Sequence, residues 1–362
     1  MSNSEKKITV GLVTPVAPPA GGMAIQAQKL VEHLRQEGLA VVVFATNPDF
    51  PRPFGWLMRV KGGRTFFRFF LYLYQLRRLR SVDIVHILGA SHFYFFASVA
   101  PAVLLGKLFG KKVLLNYRGG EAAAFFAEYK KFVALTVNRA DLIAVPSEFL
   151  REVFVEQLGC RVEVLPNIAD FEKFPFRQRT SFQPKIVVAR SLEPIYGHRV
   201  ILQAFARLLD DYPNALLRIA GEGSLKSELE NVAADLGITE KVHFLGNLSV
   251  DELAGVYDNC DLMVNASTAD NFPGALLEAF MCGLPVVTTD AGGIPCMVKN
   301  HENGVVCKVN DVRCLTEGML YLLQNPHKAA AFSTQARLFA MQYSWPRVRQ
   351  KLFELYGLEV GS

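Results

Sequence analysis

The sequence predicts an α/β protein of two Rossmann-like domains, each a doubly wound parallel sheet, facing one another across a cleft. Three observations carry that prediction. Short runs such as KITVGLVTP (Lys7–Pro15) and DIVHIL (Asp83–Leu88) are apolar throughout, as in strands buried on both faces of a parallel sheet. They alternate with helix-length patterns, which makes right-handed βαβ units. The plan then runs a second time, after Pro166–Gln183 (PNIADFEKFPFRQRTSFQ), where apolar periodicity gives way to Pro and charge. At 362 residues and 51% hydrophobic content, the chain is long enough for two such cores. The expected organisation is a domain at 1–168, a linker at 169–183, a second domain at 184–345 and a final segment at 346–362.

The first strand runs into VAPPAGGM, where Gly21 and Gly22 allow a ligand close to backbone. The loop lacks G-x-G-x-x-G, which disfavours a dinucleotide dehydrogenase. A helix at about Ala24–Gln36 and the strand Ala40–Thr46 complete the first unit. Between Asp49 and Asp83 no acid interrupts a run of Arg, Lys, Phe and Tyr, including GRTFFRFFLYLYQLRRLRS. Residues 52–80 therefore read either as a surface for anionic lipid headgroups or as a packed helix with snorkelling arginines. No nucleic-acid-binding module accompanies the charge.

Strands Asp83–Leu88, Lys112–Tyr117, Asp141–Ser147 and Val162–Asn167 follow, separated by helices near 93–109, 122–139 and 147–158. Ligand groups in such sheets gather beyond the strand carboxyl ends, which singles out His86, Arg118, Glu121 and Ser147. A core role is the plainer reading for His86; for Arg118 a salt bridge to Glu121 or a charge on the domain surface stands level with a ligand contact.

In the second half, strands at Lys185–Arg190, Ala215–Gly221, Lys241–Gly246, Asp261–Ser267, Pro285–Asp290 and Gly304–Val309 alternate with helical patterns. Arg190 ends a strand, where a guanidinium suits a diphosphate. Gly221 and Gly223 follow the next strand and allow close backbone approach. The richest stretch is STADNFPGALLEAFMCGLPVVTTDAGGIP (Ser267–Pro295). A helix opens at about Pro273, and the N–H groups of Gly274, Ala275 and Leu276 form an anion site at its N-terminus. Asp270 stays in the loop before it and Glu278 sits one turn in. A sugar nucleotide needs that combination: a diphosphate cradle flanked by acceptors for sugar and ribose hydroxyls.

Composition adds bounds. A formal net charge of +5 favours anionic ligands or surfaces. Six cysteines without a C-x-x-C pair read as reduced, mostly buried thiols. MSNSEKKITVGLVTP shows no signal-peptide pattern and no apolar run reaches bilayer-spanning length, so the expectation is a cytoplasmic protein, at most peripheral to a membrane. No metal-ligand spacing is present, and no metal is expected.

The stretch from Asp270 to Glu278, with LEAFMCGLPVVTTDAGGIP, resembles the acidic–x7–Glu signature of family 4 retaining glycosyltransferases, which have the GT-B fold. The resemblance implies a metal-independent enzyme that moves a sugar, with retention, from a nucleotide-sugar donor to a hydroxyl. It needs no cofactor, and its expected setting is polysaccharide or glycolipid synthesis. It implies that Asp270 contacts the donor sugar, Glu278 the ribose and Arg190 the diphosphate. Gly21, Gly22, Gly221, Gly223, Asn247, Phe272, Pro273, Gly274, Ala275 and Leu276 would also line the donor. A UDP-sugar is favoured, with GDP- and ADP-sugars as alternatives. The last helix, from 346, would return to the acceptor-side first domain.

The chain departs from the family pattern at three places. Asp270 stands where Glu is usual, and Arg118 where a His is usual. The Lys expected shortly after Arg190 is missing from Ile195–Tyr196–Gly197–His198–Arg199. Arg118, Glu121, His198 and Arg199 are accordingly candidates for acceptor or sugar contacts. A glycan or lipid-linked acceptor, no nucleic acid, and an anionic membrane surface are the expected partners. The competing readings are a nucleotide-binding scaffold without turnover and a sugar-nucleotide epimerase.

Overall fold

The computed structural model describes residues 8–17, 21–49 and 63–359, the side chains of 63–65 excepted. Arg52, Arg59 and Lys61 of the basic stretch, and residues 18–20 of the Gly-Gly loop, lie outside them. The chain divides into two compact units: Met1–Ile168 with Trp345–Ser362, and Ala169–Ser344.

In the first unit, strands β1 (Thr9–Thr14), β2 (Ala40–Ala45), β3 (Ile84–Gly89), β4 (Lys112–Tyr117), β5 (Leu142–Val145) and β6 (Glu163–Val164) form one parallel sheet. Its order is β2-β1-β3-β4-β5-β6. The helices are α1 (Gly22–Gln36), α2 (Gly63–Leu76), α3 (His92–Tyr94), α4 (Ala100–Leu108), α5 (Ala122–Val137) and α6 (Glu148–Leu158). The expected helix near 93–109 is interrupted by a π-turn at Phe95–Val99. Side-chain alternation along β3 builds the two cores. Val85 and Ile87 pack with Phe95, Phe125 and Phe154 on one face, while Ile84 and Leu88 pack with Leu30 and Leu34 of α1 on the other. The expected strand 162–167 shrinks to two residues, Glu163–Val164.

The second sheet is parallel too, with order β12-β11-β10-β7-β8-β9. Its strands are β7 (Lys185–Ala189), β8 (Leu216–Ala220), β9 (Val242–Gly246), β10 (Leu262–Val264), β11 (Val286–Thr289) and β12 (Val305–Cys307). Helices α7 (His198–Leu208), α8 (Lys226–Asp235) and α12 (Val312–Gln324) cover one face. Helices α9 (Val250–Asp258), α10 (Gly274–Met281), α11 (Ile294–Met297) and α13 (Pro326–Ala340) cover the other. Residues 169–183 pack on this unit through Phe174, Arg179 and Phe182. The last helix, α14 (Trp345–Tyr356), belongs to the first unit and buries Val348, Leu352 and Phe353 against the α1 face.

The expectation of six reduced thiols is corrected. Cys307, the last residue of β12, is disulfide-bonded to Cys314 in the first turn of α12, with Cα atoms 5.6 Å apart. Asp311 brings them together by capping α12, its side chain accepting from the Cys314 N–H at 2.9 Å. Cys260 and Cys282 are free and buried, whereas Cys296 is free and exposed.

Candidate active site

Strand order locates the site before any side chain does. In the second sheet the order reverses between β7 and β10, and open α/β sheets bind ligands beyond the strand carboxyl ends at such a point. Arg190 follows β7 directly, and the loop from Asn265 to Pro273 follows β10. That loop leaves the sheet early, because its polar side chains replace ladder bonds. Asn265 donates to Thr288 at 3.0 Å, Ser267 to Asn265 at 2.9 Å, and Thr289 to the Ser267 carbonyl at 2.6 Å.

Arg190 and Asp270 meet there as an ion pair, with both side chains mostly buried. The guanidinium also lies 4.1 Å from the centroid of the Tyr196 ring, and its Nε is buried with no partner. Burial raises the Asp270 pKa; Arg190 and the backbone N–H groups of Asn271 and Phe272 pull it back. Gly292 and Gly293 hold this loop by close contact. Gly292 has φ +52, and a Cβ at either position would run into the carbonyls of Asp270 and Asn271. The Gly293 N–H donates to the Asp270 carbonyl at 2.8 Å.

Pro273 caps α10, and a Cβ at Gly274 would meet open space. The anion site is narrower than the sequence suggests, because the Leu276 N–H turns back to the Pro273 carbonyl at 3.2 Å. Gly274 and Ala275 are then the first-turn amides that need a partner outside the helix. Phe272, in contrast, is buried against Tyr343. Glu278, one turn in, accepts from the Tyr257 hydroxyl at 3.1 Å, and burial followed by this carboxylate pushes the phenol pKa well up. From beneath, buried Arg179 donates to the carbonyls of Tyr257, Cys260 and Cys282, which pins the end of α10 to α9.

Gly221 and Gly223 do not line open space. A Cβ on either would collide with backbone between Arg190 and Leu192, so they shape the Arg190 turn. Both candidates for the missing Lys are engaged by other groups of the same unit. Arg199 is exposed and held by Glu228 at 2.7 Å. His198 is buried with its pKa lowered, chiefly by burial, and its Nε2–H donates to the Ser191 carbonyl at 2.9 Å. That assignment leaves Nδ1 an acceptor, and it has no partner. Asn247 is exposed beyond β9.

In the first unit, Gly21 caps α1 and Gly22 opens it, and a Cβ on either would meet nothing. The suggested Arg118–Glu121 bridge is corrected: Arg118 donates to Asn167, and Glu121 pairs instead with His92 at 2.9 Å. Loop geometry decides this, since His92 opens α3 at φ +57 and swings its ring onto the N-cap of α5. Burial lowers the Arg118 pKa to about 10, and its Nε is unpartnered. His86 is a core histidine, held between the Tyr356 hydroxyl at 2.7 Å and the Asn116 amide at 3.2 Å. Ser147 caps α6. No cluster of metal-ligating side chains occurs among the described residues.

Tyr257, Arg179 and His92 went unnoticed in the sequence, where Tyr196 figures only within the segment that lacks the expected Lys. Tyr196 had a local signal, standing just before Gly197 where a Lys is expected. The others act across long chain separations and leave none.

Two family models divide most of the chain between them: Glycosyltransferase Family 4 matches residues 20–173, and Glycosyl transferases group 1 matches residues 170–339. The chain belongs to glycosyltransferase family 4. Among curated relatives of this glycosyltransferase, the D-inositol 3-phosphate glycosyltransferase of Corynebacterium jeikeium is 30% identical over 61% of this chain and 58% of its own length. The GDP-mannose-dependent α-(1-6)-phosphatidylinositol monomannoside mannosyltransferase of Mycolicibacterium smegmatis is 26% identical over 72% of this chain and 75% of its own. The chain thus spans little more than half the length of the first of these.

Solved structures establish the fold as GT-B. HepE from Anabaena, determined with UDP and glucose, aligns with a TM-score of 0.75 over 97% of this chain and 99% of its own at 17% identity. Sucrose-phosphate synthase from Thermosynechococcus elongatus gives 0.78 over 97% and 98%, also at 17% identity.

Proposed function

We infer that this glycosyltransferase moves a sugar from a nucleotide-sugar donor, a UDP-sugar first and a GDP- or ADP-sugar as alternatives, to a hydroxyl with retention. The donor would occupy the second unit and the acceptor the first. The observation that supports this most is the pairing of Arg190 with Asp270 beside the open N-terminus of α10, at the reversal of strand order.

In this reading the donor diphosphate takes the Arg190 guanidinium and the Gly274 and Ala275 amides, which meet the charge that develops as the sugar–phosphate bond breaks. No metal is then required for that charge. Asp270, displaced from Arg190, accepts from sugar hydroxyls. Glu278, oriented by Tyr257, accepts from the ribose. The acceptor attacks from the face the diphosphate leaves, and its proton passes to a departing phosphate oxygen. Arg118, half-buried with an unpartnered Nε, would hold an anionic group of the acceptor, with Glu121 near it in sequence. A phosphorylated polyol or phospholipid-linked sugar fits such a cation, and both kinds of acceptor occur in the names of the curated relatives. The proposed setting is cell-surface polysaccharide or glycolipid synthesis, at an anionic membrane surface engaged through residues 52–80.

Engagement of Arg199 by Glu228, and of His198 by the Ser191 carbonyl, favours one competitor, a nucleotide-binding scaffold without turnover. Thermal unfolding with UDP, GDP and ADP, followed by product analysis with the matching labelled sugar nucleotides, tests the reading. One nucleotide should stabilise the chain, by ~2.7 kcal/mol at about 100 times its dissociation constant, and its sugar should reach an acceptor with the anomeric configuration kept. Binding without transfer would leave the scaffold, and an isomerised sugar nucleotide an epimerase.

A further inference from the structure

The outer side of one helical layer in the first unit is unusual for a protein surface in water. Helices α2, α4 and α5 lie side by side over the core that contains Tyr72, Val103 and Val133. On α2 the buried side is Tyr72 and Leu76, while Phe66, Phe70 and Tyr74 recur every four residues and are 60%, 50% and 67% exposed. The neighbouring α4 adds Leu104 and Leu108 at the same spacing, Leu108 being 75% exposed, and α5 adds Phe132 at 66%. Single exposed apolar residues need no explanation, but stripes repeated on adjacent helices mark an interaction face.

Charge says what covers it. From residue 50 to residue 120 the sequence holds twelve Lys and Arg and one acid, Asp83. Exposed Arg77, Arg78 and Arg80 follow α2, and Arg80 lies 4.6 Å from the centroid of the Phe109 ring at the end of α4. Exposed Lys130 and Lys131 precede Phe132, while Glu121 is the N-cap of α5 and Glu128 sits earlier on the helix. Aromatic stripes bordered by cations match the boundary between acyl chains and anionic headgroups; another protein surface would supply its own acids only at particular points. No helix among the described residues is long and apolar enough to cross a bilayer, so this contact would lie along the surface.

We propose that the outer faces of α2, α4 and α5 together form a docking surface for an anionic lipid bilayer. The surface is therefore wider than stretch 52–80, and it stands independently of the donor site, which belongs to the other unit.

The test is flotation of the full chain with vesicles of phosphatidylglycerol and phosphatidylcholine, and with phosphatidylcholine alone. The expected result is capture by the anionic vesicles alone, weakening as salt rises. Phe70→Ser with Tyr74→Ser, Leu104→Ser with Leu108→Ser, and Arg77→Glu with Arg78→Glu should each weaken capture at least about tenfold. All six side chains are exposed or border the surface, and nucleotide-induced thermal stabilisation should stay unchanged in the variants. Failure of the native chain to float with anionic vesicles overturns the proposal. So does capture that survives the Leu104 and Leu108 changes, which would confine docking to α2. A native dimer that these changes convert to monomer, without vesicle capture, would make the face a contact between copies and overturn it too. Vesicle capture without any nucleotide binding would leave the docking surface standing and remove the donor-site reading.

Discussion

Arg190 enters the site already engaged on two sides, by the Asp270 carboxylate and the Tyr196 ring. In the proposed donor complex a diphosphate would offer it two charges in place of one and would free Asp270 for the sugar. Hydrogen bonds to charged groups are worth about 1.5–3 kcal/mol, so Arg190→Ala should weaken nucleoside diphosphate binding about 10- to 100-fold by calorimetry. Asp270→Asn keeps the nucleotide contacts and removes the charged acceptor. It should leave nucleotide affinity within a few-fold of the native value while sugar transfer collapses. Equal loss of both in Asp270→Asn would count against the assigned roles.

His86 makes a prediction of another kind. Burial, and then the charge of Arg118, lowers its pKa to about 3. An unfolded chain protonates the same imidazole near ~6.5, so the folded state has full stability above that pH and loses it as pH falls. The loss should run at ~1.4 kcal/mol per pH unit between about 6.5 and 3. Urea unfolding of the first unit at pH 7 and pH 5 should show it, and His86→Asn should remove one proton from the pH dependence even if it lowers stability throughout.

Among the elements, the Asp270 loop depends on a turn elsewhere in the chain. Gly292 is in the left-handed region and touches the Asp270 carbonyl, so Gly292→Ala should cost at least ~2 kcal/mol in urea unfolding and impair donor binding with it. Gly274→Ala is the contrasting change. It faces open space in a first helical turn, so stability should hold or rise by ~0.5–1 kcal/mol while nucleotide affinity falls. A Gly274→Ala chain that binds nucleotide normally would take the helix N-terminus out of the site. These two glycines also mark what the sequence could reveal. Gly274 is legible because strand, loop, Pro and helix are neighbours in the chain, and the Asp270–Glu278 spacing is legible for the same reason. The supports are not. Tyr257 reaches Glu278 from another helix, Arg179 reaches carbonyls about 80 to 100 residues away, and Gly221 and Gly223 look like phosphate-loop glycines although they shape a turn. The Cys307–Cys314 pair was hidden likewise, because a spacing of seven carries no motif until β12 and α12 turn against each other.

For the whole molecule, the alternation of buried strands and helices foretold two parallel sheets, but not their order, which reverses between β7 and β10. At the C-terminal end, α14 follows the second unit in the chain and packs in the first. It buries Val348, Leu352, Phe353, Leu355 and Tyr356, and Tyr356 also holds His86. Five such side chains at about 1.5–3 kcal/mol each amount to on the order of 10 kcal/mol, as much as the net stability of a typical domain. A chain truncated after Ser344 should therefore lose the first unit, with His86 left unsatisfied in whatever remains collapsed. The second unit keeps all its strands, its disulfide, Arg190, Asp270 and α10. The truncated chain should then bind the donor nucleotide within about tenfold of the native affinity, transfer no sugar, and show amide exchange protection in 185–340 alone. Loss of nucleotide binding on truncation would mean that the donor needs groups from the first unit, and Gly21 and Gly22, which face open space at the start of α1, would be the first to test.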